Sequence, residues 1–474
     1  MSESLVLGHV GPQIALVVGV AVTLLAAMFL PRARQGWCAG TALVALASAA
    51  VAQVLLLTRS QQTVTLRGLW ALDHTTGIVT LAVLAVTAVV VVQTPRWFAT
   101  DTRHGEVDVL LLLGALGATV VAAAVDLNEL VVGVTLSSVT GYVLAAFHRD
   151  DDRSVEAGMK YFLIGGLANL ALLVGVVLLF LAGGTTDLAG LEAGLVDAGG
   201  WLTLPAAVLV VVGLAFKLGA VPAHGWLPDV AEGAPAPVAT FLTVVPKLGG
   251  FIALARIMAV LPEASSGWRS LVAVVAVVTM TFGNLAALNQ TDVRRLLGWS
   301  SVAQSGYAMM AVAALGLTDQ ALPALLLFLV AYAVGNTACF AVVTALRGRT
   351  RLADWRGLAA QRPWLATVMV LGLLSLLGLP PLAGFAGKLA LFAAVIDAGL
   401  AWVAVAAALN TVLSLAYYLK IVAAMVVRDG EVGGVALLGR AATSGAVVAG
   451  IAVIAVGVGA AAVLGPAAGA ELLP

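Results

Sequence analysis

Apolar runs of 18 or more residues recur along this chain from end to end, and no other feature limits its fold so tightly. Each run is long enough to cross roughly 30 Å of hydrocarbon as a helix. Lipid offers no water to backbone N–H and C=O groups, so helices, which pair them internally, are the economical solution. Composition agrees: of 474 residues, 62% are hydrophobic and 10% charged, too little polar surface to solvate a globule of this size. The expected fold class is an all-α polytopic membrane protein. The first run, Gly11 to Leu30, has no basic stretch before it and no small-residue cleavage site after it, so it reads as a span and not as a signal peptide.

Several chemistries are absent from the pattern. Cys38 and Cys339 stand alone in apolar runs, without the paired spacing that holds zinc or an iron–sulfur cluster, so neither a metal centre nor a catalytic redox group is expected in this chain. No phosphate-binding glycine loop opens a helix after a strand, and nothing suggests a nucleic-acid partner. Glycine is abundant at 51 residues, which in lipid points to close helix packing.

Polar breaks divide the hydropathy into fourteen expected spans near 10–30, 37–58, 74–93, 107–125, 127–147, 157–182, 203–222, 236–261, 268–289, 294–315, 321–346, 365–393, 399–427 and 441–465. Loops after odd-numbered spans hold fifteen arginines: Arg32, Arg34, Arg96, Arg103, Arg149, Arg153, Arg294, Arg295, Arg347, Arg349, Arg351, Arg356, Arg362, Arg428 and Arg440. Loops after even-numbered spans hold three, Arg59, Arg67 and Arg269. Short cytoplasmic loops carry the basic excess, so both termini are expected on the outer face.

Six basic residues then remain for the spans: Lys160, Lys217, Lys247, Arg256, Lys388 and Lys420. Arg256 and Lys420 lie near helix ends, where long stems are expected to snorkel to the interface. Lys217, Lys247 and Lys388 sit deeper, and a cation there costs on the order of 2.5–3.5 kcal/mol. Such residues are kept either as ion-handling groups or as structural lysines tied to backbone carbonyls.

Two of them adjoin helix interruptions, Lys217-Leu-Gly-Ala-Val-Pro222-Ala-His224-Gly-Trp226 and Gly378-Leu-Pro380-Pro381-Leu-Ala-Gly384-Phe-Ala-Gly-Lys388. Proline removes a backbone donor and clashes with the preceding turn, which predicts discontinuous helices 7 and 12 with freed carbonyls. The two breaks are five spans apart. If spans four to eight and nine to thirteen are repeats, that odd offset makes them inverted, a pattern of transporters. Burial disfavours the charged amine, which makes a buried lysine a usable proton relay. His224, just after the first break, is a candidate for proton transfer, and the other histidines read as incidental.

The stretch Phe216-Lys217-Leu-Gly-Ala-Val-Pro222-Ala-His224-Gly-Trp226-Leu-Pro228-Asp229-Val-Ala-Glu232-Gly233-Ala-Pro235-Ala-Pro237, followed by Lys247, resembles the antiporter-like subunits of respiratory complex I. Within that superfamily of proton-translocating NADH–quinone oxidoreductases and Mrp antiporters, it is most similar to the subunit N branch. Glu156-Ala-Gly-Met-Lys160-Tyr-Phe, Leu297-Gly298-Trp-Ser300-Ser301-Val-Ala-Gln304-Ser-Gly306-Tyr307, Pro381-Leu-Ala-Gly384-Phe-Ala-Gly387-Lys388 and Asn410-Thr-Val-Leu-Ser-Leu-Ala-Tyr417-Tyr418-Leu extend the likeness.

The resemblance implies about 14 transmembrane helices: an N-terminal three-helix segment (1–106), two inverted five-helix repeats (107–265 and 266–430) and a C-terminal helix (431–474). It implies a bacterial inner (plasma) membrane subunit that translocates protons through Lys217, Lys247 and Lys388, with His224 and Lys160 at further family positions. Flavin, iron–sulfur clusters and quinone would belong to partner subunits, and the neighbours would be other membrane-arm subunits. Two positions depart from the family pattern. Thr135 stands where a glutamate is usual, and Gln304 where histidine is usual. Glu129, six residues before Thr135, is about 9 Å along the helix and about 240° around it, so it is not expected to replace that glutamate. Acidic residues fall in loops or at span ends, leaving the deep lysines without carboxylates. The expected function is thus a lysine-lined proton path coupled to quinone reduction elsewhere, or a divergent copy with weakened transfer; a sodium/proton antiporter subunit and a structural scaffold are the alternatives.

Overall fold

A computed structural model describes residues 7–59, 62–101, 104–198, 200–427 and 439–473. Arg103, Arg428 and the expected domain boundary at 430 lie outside the described residues. The chain opens with α1 (Gly11–Phe29) and α2 (Trp37–Thr58), then a small antiparallel hairpin, β1 (Thr63–Thr65) against β2 (Trp70–Leu72). Next come α3 (His74–Trp97), α4 (Gly105–Ala123), α5 (Leu127–Ala145), α6 (Asp152–Gly183) and the short α7 (Leu188–Ala198). Asp73, Asp126 and Asp151 each accept a backbone N–H at the start of α3, α5 and α6, satisfying donors that a helix start leaves unpaired.

The central part runs through α8 (Gly200–Leu218), α9 (Trp226–Gly233), α10 (Ala236–Val260), α11 (Glu263–Ser266), α12 (Trp268–Leu288), α13 (Val293–Ala314) and α14 (Ala321–Ala345). It is followed by α15 (Leu358–Gln361), α16 (Pro363–Leu377), α17 (Ala383–Asp397), α18 (Ala401–Val426), α19 (Arg440–Val458) and α20 (Ala460–Ala468).

Among the described residues, 11 helices are long and apolar enough to cross a membrane, or up to 13 if each bent pair is one span. The expected fourteen differ from this for identifiable reasons. The span expected over 294–315 forms α13, but Ser300, Ser301, Gln304 and Ser305 make it too polar to pass as a lone span. The span expected over 365–393 is two helices, α16 and α17, separated by Gly378 to Leu382. That over 441–465 bends by 65° between α19 and α20.

α10, α13 and α14 form the core. α10 is buried almost around its full circumference, whereas α1, α2, α6 and α18 present broad apolar faces outward. A helix apolar all round belongs in such a centre. α12 lies against α13 at glycines: a Cβ on Gly283 would stand 2.6 Å from the Ala303 nitrogen, and one on Gly306 would stand 2.5 Å from the Met280 nitrogen. Small residues of this kind let helix backbones approach in lipid.

The arginine-rich loops gather at one end of the molecule. Arg32 donates to the Thr100 carbonyl at 2.6 Å, Arg347 lies 4.9 Å from the Trp97 ring, and the backbones at Asp292 and Arg351 pair antiparallel. At the opposite end, the backbone at Trp70 pairs with that at Ala124, and the backbone at Asp126 with that at Asp187. Lys420 donates to Gln290 O at 3.0 Å from an exposed position at the arginine-rich end, as a snorkelling residue should. Arg256 does not snorkel. Its side chain is fully buried and donates to Asp73 at 2.6 Å, Thr76 Oγ1 at 3.0 Å, Ala122 O at 3.2 Å and Leu473 O at 2.5 Å. The end of α10 is covered by the start of α3 and by the segment after α20, so the guanidinium meets protein where an interface was expected.

Candidate functional site

Lys217 occupies the last turn of α8. That helix stops because Gly219 takes a positive φ of 62° and Pro222 has no N–H to continue the ladder. Seven residues separate Leu218 from Trp226, and Val221 N donates to Thr279 Oγ1 on α12 at 3.1 Å within them. The Trp226 indole donates back to Phe216 O at 3.1 Å, tying the two sides of the interruption together. Lys217 is 2% exposed, and its Nζ has no hydrogen-bond partner among the described residues. His224 packs against the rings of Phe282 and Trp299, at 5.0 and 5.7 Å, and its Nδ1 has no hydrogen-bond partner among the described residues.

Lys247, midway along α10, is provided for differently. Its ammonium donates to Ser301 O at 2.6 Å, Ser301 Oγ at 2.7 Å and Ser305 Oγ at 2.8 Å, all on α13. Three charge-assisted bonds offset much of the cost of burying the ion. Ser305 Oγ in turn donates to Leu218 O at 2.5 Å, one residue past Lys217. Ser301 Oγ meets the Tyr332 hydroxyl of α14 at 2.6 Å, and that hydroxyl reaches Thr243 O at 2.7 Å.

Lys388, on α17, donates to Leu377 O at 3.1 Å and lies 4.3 Å from the Tyr307 ring. Leu377 is the last residue of α16, where helix carbonyls are unpaired and the dipole is negative, a suitable seat for a cation. Gln304 donates to the neighbouring Leu376 O at 3.0 Å and to Tyr418 OH at 3.2 Å, and Tyr418 OH also meets Ser300 Oγ at 2.6 Å. Tyr307 OH continues to Thr411 Oγ1 at 3.0 Å. α13 therefore carries hydroxyl and amide groups that run from the α8–α9 interruption, past Lys247, to the α16–α17 interruption and Lys388. Chemically this is a chain of groups that can donate and accept protons inside an apolar protein, with no carboxylate in contact with any of the three lysines among the described residues.

The other expected positions fall elsewhere. Thr135 is on the exposed face of α5, where its hydroxyl turns back to Val131 O at 2.7 Å. Lys160 is not buried within a span: its side chain is 43% exposed near the start of α6, and it pairs with Glu156 at 2.5 Å and Asp229 at 2.9 Å. The absence of carboxylate partners thus holds for the deep lysines and fails for Lys160. Sequence reading missed Ser305 and Tyr332 as contacts in this chain of groups; the spacing of Ser300, Ser301, Gln304 and Ser305, one turn apart on α13, was the available signal.

Residues 124–414 match the model of the family described as NADH:quinone oxidoreductase/Mrp antiporter, TM. NADH-quinone oxidoreductase subunit N 1 of Streptomyces griseus is 44% identical over 414 residues, covering 86% of this chain and 86% of that protein. The chain belongs to the NADH:quinone oxidoreductase/Mrp antiporter family. A chain of respiratory complex I from Thermus thermophilus superposes with a TM-score of 0.83 at 31% identity, covering 97% of this chain and 100% of that one. A chain of the Mrp complex from Dietzia sp. shares the fold, with a TM-score of 0.85 at 22% identity over 98% of this chain and 96% of its own. Both matched chains thus come from complexes, respiratory complex I in one case and the Mrp complex in the other. The family match spans Thr135, Lys160, Lys217, His224, Lys247, Gln304 and Lys388.

Proposed function

We propose that this chain is a membrane-arm subunit of a proton-pumping NADH–quinone oxidoreductase, carrying protons along α13 between Lys217, Lys247 and Lys388. The observation that carries the reading is the seat of Lys247: an ammonium in the core of an apolar protein, held by two serines whose helix continues to both of the other lysines. Protons would move by exchange among amines, hydroxyls and water, with Lys217 next to one helix interruption and Lys388 next to the other. His224 would serve the Lys217 end and Lys160 the arginine-rich face. The chain itself would hold no redox group; flavin, iron–sulfur clusters and quinone would be bound by partner subunits, which would supply the conformational or electrostatic drive.

On this reading α8 with α9, and α16 with α17, are discontinuous spans at matching places in two inverted repeats, 107–265 and 266–430. The complex would lie in a bacterial inner membrane with the arginine-rich end of this subunit in the cytoplasm and both termini outside. Identity to subunit N proteins supports the oxidoreductase over a sodium/proton antiporter, since the likeness to the Mrp chain is one of fold. Gln304 fixes Tyr418 and the Leu376 carbonyl but takes no proton near neutral pH, so transfer past it would run through hydroxyls and water. The test is the assembled complex in sealed membrane vesicles. Lys247→Ala is expected to lower the number of protons moved per electron; an unchanged ratio in a fully assembled complex would overturn the proposal.

A further inference from the structure

At the arginine-rich end, α9 is held by charges from two neighbouring helices, and one of its carboxylates is shared between them. Asp229, in the first turn of α9, accepts from Lys160 of α6 through Oδ2 at 2.9 Å and from Arg295 of α13 through Oδ1 at 2.5 Å. Each cation has a second carboxylate. Lys160 also meets Glu156, four residues earlier on its own helix, at 2.5 Å, and Arg295 meets Glu232 at 3.0 Å. The result is a row of alternating sign, Glu156, Lys160, Asp229, Arg295, Glu232. Exposure falls from the α6 end to the middle of the row, with Glu156 at 63% and Lys160 at 43% against 14% for Asp229. Asp229, Glu232 and Arg295 border an open cavity beside Ala157.

The two halves of the row differ in how firmly they are held. On the α13 side, Arg294 reinforces the contact by donating to Ala231 O at 2.8 Å and to Ala234 O, so α9 is fixed to α13 by backbone as well as by charge. On the α6 side, Lys160 makes the charged contact, beside the stacking of Trp226 on Tyr161 and the packing of Gly233 against Arg153 and Ala157, and it can fall back on Glu156 without losing its counter-charge. Half-exposed ion pairs of this kind are weak and exchange readily. α9 is also mechanically continuous with the buried lysine: Trp226, its first residue, donates to Phe216 O next to Lys217.

We propose that Asp229 is a positioning residue, and that its bond to Lys160 is the openable half of a clamp controlling water access from the arginine-rich face to the interruption at Lys217 and His224. When Lys160 turns to Glu156, α9 stays on α13 and the cavity by Ala157 widens toward α6. This rests on the proton-path reading for its purpose, while the opening itself is measurable without any proton transfer.

The experiment places a cysteine at Ala157, a residue 1% exposed that lines the cavity, and follows its labelling by a membrane-impermeant maleimide in open membranes containing the assembled complex. The labelled chain is read after electrophoretic separation. Cys38 and Cys339 are both buried, so the chain's own background is low. Asp229→Asn and Lys160→Gln are each expected to raise the labelling rate at least threefold over the Ala157→Cys parent, Asp229→Glu to return it toward the parent, and Glu156→Gln to lower it. Parent-like rates in both Asp229→Asn and Lys160→Gln overturn the proposal. Lys247→Ala is expected to leave the rate unchanged, so an effect on labelling and an effect on proton stoichiometry can fail separately.

Discussion

Lys217 and Lys247 are buried to the same degree, yet among the described residues one ammonium lacks a partner and the other has three. What each charge touches therefore decides its cost, most sharply at Arg256. Its buried pair with Asp73 is separated by 183 residues in sequence and is surrounded by the Thr76, Ala122 and Leu473 contacts. Removing one partner of a buried pair strands the other, a loss of about 3–5 kcal/mol, while replacing both with apolar groups restores much of it. Arg256→Met is accordingly expected to lower the thermal denaturation midpoint of the purified complex more than Arg256→Met with Asp73→Leu; a double variant that loses the sum of the two single losses would contradict the pairing. The lysines were legible in the sequence because a charge in an apolar run is conspicuous. The Arg256 pair was not, because proximity to a helix end suggests an interface, and only the folded chain shows α3 and the final segment covering that end. Ser301 and Ser305 were legible only as hydroxyls, which transmembrane helices tolerate on many faces.

Element boundaries divide in the same way. α2 spans Trp37–Thr58, the range that hydropathy gives, since both of its ends are marked by a change to polar residues. α16 and α17 were read as one span interrupted at Pro380 and Pro381, since the Gly378 to Leu382 segment is itself apolar, and α7 was missed because a short amphipathic helix leaves little trace in a long window. Between elements, the close approach of α12 and α13 at Gly283 and Gly306 gives a test of packing. Gly283→Val puts carbon where the Ala303 backbone stands and is expected to destabilise by about 1–3 kcal/mol, with a lower denaturation midpoint and weaker assembly. Gly166→Ala, at a position with nothing within 4 Å, is the matched control and should leave the midpoint in place. Equal behaviour of the two variants would argue that the α12–α13 contact is slack.

For the whole molecule, the sorting of arginines to one end predicts the orientation. α14 separates the Thr318 to Gln320 loop from the Arg347 to Arg362 stretch, so these two segments lie on opposite sides if it spans the bilayer. Asp319→Cys is expected to react with an impermeant maleimide added outside intact cells, and Ala360→Cys only after the membrane is opened; the reverse pattern would invert the topology. The loop census predicts this sidedness without a structure, because charge distribution is a property of the sequence. Which outward faces meet lipid and which meet other subunits was not legible, since Leu167 and Leu181 on α6 and Leu409 and Val412 on α18 are equally suited to either.

The polarity of α13 bears on how such a protein is made. A helix that carries two serines, a glutamine and another serine within two turns partitions poorly into lipid by itself, and while Lys247 on α10 precedes it in synthesis, α14, α16 and α18, which bond Ser301, Gln304 and Ser300, emerge only after it. Its residence in the bilayer therefore depends on later segments, and the helix that would conduct protons is secured only when the second half of the chain has been threaded through the membrane.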